Sequence, residues 1–167
     1  MMDKSNRFVA ILMGSDSDLP VMRATTDVLD GFSISYEVNI MSAHRTPQET
    51  AAYVHDADQR GCCVFIAGAG LAAHLAGAIA AKTLKPVIGV PLDAGTLGGM
   101  DALLSTVQMP GGIPVACVAI GKAGAKNAGY LAAQILALGD DNLAAKVRSE
   151  RDANRDGVLQ KDAELKR

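Results

Sequence analysis

Ser35-Tyr36-Glu37-Val38-Asn39-Ile40-Met41-Ser42-Ala43-His44-Arg45-Thr46-Pro47 passes from a strand-like run into a polar loop, and from Pro47 to about Arg60 the pattern becomes helical. The loop holds an imidazole, a guanidinium and two hydroxyls. It stands at a strand-to-helix corner, which is where open α/β sheets place their ligands. Such a loop can hold a phosphate and move a proton, so the first expectation is an enzyme acting on a small phosphorylated molecule.

The same alternation extends in both directions from this corner. Short apolar runs recur at Phe8 to Met13, Ile34 to Met41, Cys63 to Ala67, Pro86 to Val90 and Pro114 to Ile120. Helical patterns lie at Leu19 to Asp30, Pro47 to Arg60, Ala72 to Thr83, Met100 to Val107 and Ala125 to Leu138. Near-continuous apolar strands are buried on both faces, and parallel strands need helical crossovers. The pattern therefore predicts a flavodoxin-like three-layer αβα sandwich with a five-stranded, mostly parallel sheet. At 167 residues the chain is expected to form a single domain over 1–167, with an α/β core at 7–138 and a helical extension at 140–167. The extension alternates acidic and basic residues, with Leu143, Val147, Val158 and Leu165 as sparse apolar positions. So thin a stripe suits a solvated helix or two that dock on another subunit, or a frayed tail.

Composition narrows the function. A formal charge of -2 gives no general attraction to nucleic acid or acidic membranes. Aromatic residues make up 4% with no Trp, so the core must be built from small and aliphatic side chains. Cys62, Cys63 and Cys117 lie in or beside apolar runs rather than in metal-ligand spacing, and they read as reduced, buried thiols. The polar start, Met1 to Arg7, is followed by an apolar run too short for a signal peptide or a membrane span. A cytoplasmic location is expected.

Three further stretches carry chemistry. Gly14-Ser15-Asp16-Ser17-Asp18 ends the first strand and leads into a helix at Leu19-Pro20, so N–H groups and two hydroxyls converge on an anion site. Asp18 has two readings, a helix cap or an acceptor for a ribose diol. Gly68-Ala69-Gly70-Leu71-Ala72-Ala73-His74 follows the third strand, where glycine lets backbone approach a ligand. With Asp93 about twenty residues on, it also fits a loose dinucleotide fingerprint. His44 and His74 both fall at strand ends, whereas His55 lies inside a helix. The two are candidates for acid/base work near neutral pH, and no metal-ligand spacing surrounds them. Asp93 to Gly99 and Gln108 to Pro114 are lids or turns; Lys122 is an anion contact or a surface charge.

Taken together, Gly14 to Asp18, Ser42 to Pro47, Ala67 to Gly70 with Ala72 to Leu75, Gly89-Val90-Pro91, Val107 to Pro110 and Ala119 to Lys122 resemble the catalytic subunit of the phosphoribosylaminoimidazole carboxylase family of purine synthesis. The resemblance runs from about Arg7 to Leu138. It implies a flavodoxin-like subunit, a homo-octamer with active sites at subunit contacts, and neither metal nor organic cofactor. Arg45 stands where the animal-type branch, which carboxylates aminoimidazole ribonucleotide directly with carbon dioxide, has Lys. The chain thus resembles the bacterial branch of N5-carboxyaminoimidazole ribonucleotide mutases, with the ATP-dependent synthetase of that substrate as a hand-off partner. By position, Ser15, Ser17, Ser42 and Arg45 would hold the 5′-phosphate and Asp18 the ribose, with Ala43 beside them. Ala69, Gly70, His74 and Leu75 would line the base and carboxylate pocket, and His44 would carry the proton, with His74 as its catalytic neighbour. Leu71 departs from the Gly of many relatives, and Gly98 and Ala102 depart from Ser, the latter two removing hydroxyls near a possible lid.

Two other classes fit the fold. A signalling receiver would need an acceptor Asp after the third strand, where this chain has Gly68 to Gly70. A flavin carrier would need aromatic side chains to stack the ring, and the loops offer few.

Overall fold

The computed structural model describes residues 7–166, so the polar segment 1–6 and Arg167 lie outside the described residues. Five parallel strands, β1 (Phe8–Met13), β2 (Tyr36–Ile40), β3 (Cys62–Ala69), β4 (Val87–Pro91) and β5 (Ala116–Cys117), form one sheet in the order β2-β1-β3-β4-β5. The helices are α1 (Leu19–Gly31), α2 (Pro47–Arg60), α3 (Leu75–Ala80), α4 (Met100–Val107), α5 (Gly121–Ala137) and α6 (Asp141–Leu165). This is the expected flavodoxin-like strand order, which reverses direction between β1 and β3.

Strand alternation builds the two cores. Val9, Ile11 and Met13 of β1 face Met22 and Leu29 of α1 and Ala125, Ala128 and Ala132 of α5. The intervening Phe8, Ala10 and Leu12 face Val54 and Ala57 of α2 and Leu75, Ala76 and Ile79 of α3. Both sets are buried, which is why β1 reads as an unbroken apolar run. The alanines of α5 let it lie close on the sheet and on α1, where the buried Thr25 hydroxyl donates to the Ala125 carbonyl at 2.7 Å. At Gly89 of β4 a Cβ would collide with Thr106 of α4 and crowd Val115 and Ala76, so α3 and α4 share one face of the sheet.

The edges differ from expectation. β2 spans only Tyr36–Ile40, with Val38 and Ile40 exposed, because an edge strand has one neighbour and partial cover. β5 is reduced to two residues paired with Ile88 and Gly89, and Pro114 has no N–H to extend the ladder. α3 starts at Leu75 rather than Ala72, because Leu71 adopts a left-handed φ of 55° and breaks the helix there. α5 starts a turn earlier than expected, at Gly121, because Gly124 sits hard against the Ala119 carbonyl where no Cβ fits.

The extension is a single helix of 25 residues, not a frayed tail. Asp140 caps it by accepting from Asn142 and Leu143 N–H. Leu143 and Val147 pack beside Phe32 and Ala133, and Tyr130 donates to Glu150 at 3.0 Å. Farther on, Val158, Leu159 and Leu165 are exposed. No helix among the described residues is long and apolar enough to cross a membrane.

Candidate active site

The loops after β1, β2 and β3 meet over the β1/β3 reversal and enclose an open cleft of about 500 Å³. Each loop brings one group of the residues singled out in the sequence. Ser15, Ser17 and Asp18 come from the first, Ser42, Ala43, His44 and Arg45 from the second, and Ala69, Gly70, His74 and Leu75 from the third and the start of α3; all border this cleft.

In the first loop a short 3-10 turn over Asp16–Asp18 is closed by a capping box. Ser15 N–H donates to Asp18 Oδ2 at 3.0 Å, and Ser17 N–H donates to Ser15 Oγ at 3.3 Å. Asp18 therefore ties its own loop together and makes no side-chain cap on α1. Burial pushes its carboxyl above the ordinary carboxylate range, against the opposing pull of the Ser15 and Gly14 N–H groups and the Arg45 charge. Ser17 donates to Ser15 Oγ at 2.9 Å, and Ser15 in turn to Asp16 at 3.0 Å. Hydroxyl donors rotate freely, so an incoming anion can redirect both.

The second loop is set by Thr46 and Ser42. Thr46 Oγ1 accepts from Ser42 N–H at 2.9 Å and donates to the Ser42 carbonyl at 3.1 Å. The Ser42 hydroxyl accepts from His44 N–H at 3.4 Å and Arg45 N–H at 3.2 Å, leaving its own proton to offer. Arg45 reaches across to the first loop and donates to the Gly14 carbonyl at 2.6 Å. One charge-carrying fork thus stands between the Ser15/Ser17 hydroxyls and Ser42, a geometry suited to phosphate oxygens.

Opposite this polar corner, His44 Nε2 lies 2.8 Å from His74 Nδ1, with the rings edge to face at 81°. Only one of these two nitrogens can carry the proton at a time, so each ring fixes the tautomer and orientation of the other. Ala69, Gly70, Ala72 and Ala94 form a small-residue wall beside the pair, with Leu75 buried at its base. The arrangement offers an anion cradle, a proton carrier and an apolar recess in one cleft.

Other candidates fall elsewhere. His55 is exposed on α2 and pairs with Gln59. Lys122 is exposed in a separate depression with Asp27 and Lys126 and does not border the cleft. Asp93 is exposed and does not border the cleft, so the dinucleotide fingerprint lacks its acid. Ala102 is fully buried in the first turn of α4, just after the Asp93 to Gly99 stretch. The three cysteines are free, and burial pushes the Cys62 thiol up to about 12. Gly14, Leu71, Ala72 and Ala94 also border the cleft. Ala94 belongs to the Asp93 to Gly99 stretch read as a lid or a turn, and its place at the cleft follows from the β3–β4 register.

The family model described as AIR carboxylase matches residues 8–157. The N5-carboxyaminoimidazole ribonucleotide mutase of Bacillus subtilis is 53% identical over 157 residues, covering 94% of this chain and 97% of that protein. The Synechocystis protein of the same name is 54% identical over 166 residues, covering 99% and 93%. In three dimensions the crystal structure of Treponema denticola PurE superposes with a TM-score of 0.87 at 31% identity, covering 96% of this chain and 99% of that one.

Proposed function

Since the chain belongs to the AIR carboxylase family, we infer that it interconverts N5-carboxyaminoimidazole ribonucleotide and 4-carboxy-5-aminoimidazole ribonucleotide in purine biosynthesis, with His44 as the proton carrier. The observation that carries the reading is the 2.8 Å His44–His74 contact, set between a hydroxyl-and-guanidinium corner and an apolar recess.

The 5′-phosphate binds Ser15, Ser17, Ser42 and Arg45, and the ribose hydroxyls bind Asp18. Ala43, Ala69, Gly70, His74 and Leu75 line the base and carboxylate end. His44, as imidazolium, gives its proton to the carbamate nitrogen while the N–C bond breaks and its electron pair stays on nitrogen, freeing carbon dioxide. Ring carbon 4 then attacks the trapped gas, and neutral His44 takes the proton that carbon 4 loses. No net proton is consumed and no cofactor is needed. A positioned acid/base of this kind contributes about 10²–10⁴-fold. The small-residue wall excludes water from the intermediate. His74 is its catalytic neighbour, accepting from or donating to His44 Nε2.

We read the whole chain, 1–167, as one functional domain that works in the cytoplasm as a homo-octamer. The exposed row Leu97, Met100, Leu104 and Val107 at and along α4 supports such assembly. The substrate would come from the ATP-dependent carboxyaminoimidazole ribonucleotide synthetase.

The test compares two substrates at low concentration without ATP: the carboxyamino compound, and aminoimidazole ribonucleotide with bicarbonate. Efficient turnover of the first is expected, in keeping with Arg45. Efficient turnover of the second alone makes the chain a direct carboxylase.

A further inference from the structure

Leu71 combines three properties that folding alone does not call for. It is a branched apolar residue at a left-handed φ of 55°, a conformation that crowds Cβ against the following carbonyl. It is 54% exposed, so the strain is not offset by burial. It also borders the cleft, together with Ala69, Gly70, Ala72 and Ala94 of the small-residue wall. Strain held in place beside a reactive site points to a role in that site.

The surroundings are shaped to hold this side chain. A Cβ added at Gly95 would lie 2.6 Å from Leu71 Cδ2, and one added at Gly70 would lie 2.6 Å from Ala94 Cβ. The segments 70–71 and 94–95 thus interlock large against small, and they join the loop after β3 to the loop after β4. Leu71 O also accepts from Ala73 N–H at 2.9 Å, in the turn that delivers His74. Of the larger apolar side chains bordering the cleft, Leu75 is buried at its base and Leu71 stands at its rim.

We propose that Leu71 is the retention residue of this site: its isobutyl group roofs the wall of Ala69, Gly70, Ala72 and Ala94 and sets how much freed carbon dioxide is recaptured rather than lost to solvent. The proposal rests on the mutase reading above. It makes Leu71 a positioning residue whose effect falls on the fate of the intermediate, not on the proton transfers at His44.

The experiment supplies substrate labelled with ¹³C in the carboxylate, in unlabelled carbon dioxide buffer, and reads label retained in product together with free aminoimidazole ribonucleotide. Leu71→Ala removes the roof but keeps a Cβ, Leu71→Gly also relieves the backbone, and Leu71→Met restores apolar reach. Label loss about threefold or more above the parent is expected for Ala and Gly, with Met close to the parent. Equal retention in all four proteins overturns the proposal. So does loss confined to Leu71→Gly, which assigns the effect to the backbone turn. A parent protein that makes no product from the labelled substrate refutes instead the mutase reading. Leu71→Gly is expected to melt no lower than the parent, because it removes strain at an exposed position.

Discussion

At the residue scale, Asp18 shows a functional group held against its own preference. Burial raises its carboxyl above the ordinary value of 3.8, so the charged form carries a folding penalty at neutral pH. A raised value means that stability is lost as pH climbs through it, and that no penalty exists below 3.8 where both states are neutral. Asp18→Asn keeps an oxygen for Ser15 N–H and removes the charge. It is expected to raise the thermal midpoint at pH 7, to gain progressively less in acid, and to weaken substrate binding; calorimetry across pH checks this, and a midpoint lowered at pH 7 contradicts it. Arg45, Ser42 and the two histidines were legible from the sequence because their chemistry is local to a strand-end loop. The 2.6 Å bond from Arg45 to the Gly14 carbonyl was not, because it joins loops brought together only by the pairing of β1 with β2.

At the element scale, close packing explains both what the sequence revealed and what it hid. β1 and β3 announced themselves as apolar runs because both of their faces are covered. The limits of α3 and α5 did not, since they depend on one strained leucine and on the contact of Gly124 with Ala119, neither of which has a local periodicity. Gly89 is the clearest test of this packing. A methyl group there meets Thr106 Cγ2, Val115 Cγ1 and Ala76 Cβ, all on buried or partly buried side chains between β4 and its covering helices. Gly89→Ala is expected to destabilise by about 1–3 kcal/mol through overpacking. The denaturant midpoint should fall with the slope unchanged; an unshifted midpoint shows that α4 can move aside at little cost.

At the scale of the whole molecule, two of the exposed apolar surfaces among the described residues bear on assembly. One is the Leu97, Met100, Leu104 and Val107 row, and the other is the outer half of α6, with Val158, Leu159 and Leu165 exposed. Leu104→Glu places a charge in the middle of the first row. In sedimentation velocity it is expected to move mass from the assembled species to smaller ones, whereas an unchanged profile removes α4 from the assembly surface. The cleft itself is open in the single chain, with His44 and His74 both exposed, and it brings together the hydroxyl-and-guanidinium corner, the histidine pair and the small-residue wall. The most direct test of that chemistry is His44→Asn, assayed for conversion of N5-carboxyaminoimidazole ribonucleotide while substrate affinity is measured separately. Turnover is expected to fall by about 10²–10⁴-fold with binding largely retained; undiminished turnover contradicts the assignment of His44 as the proton carrier.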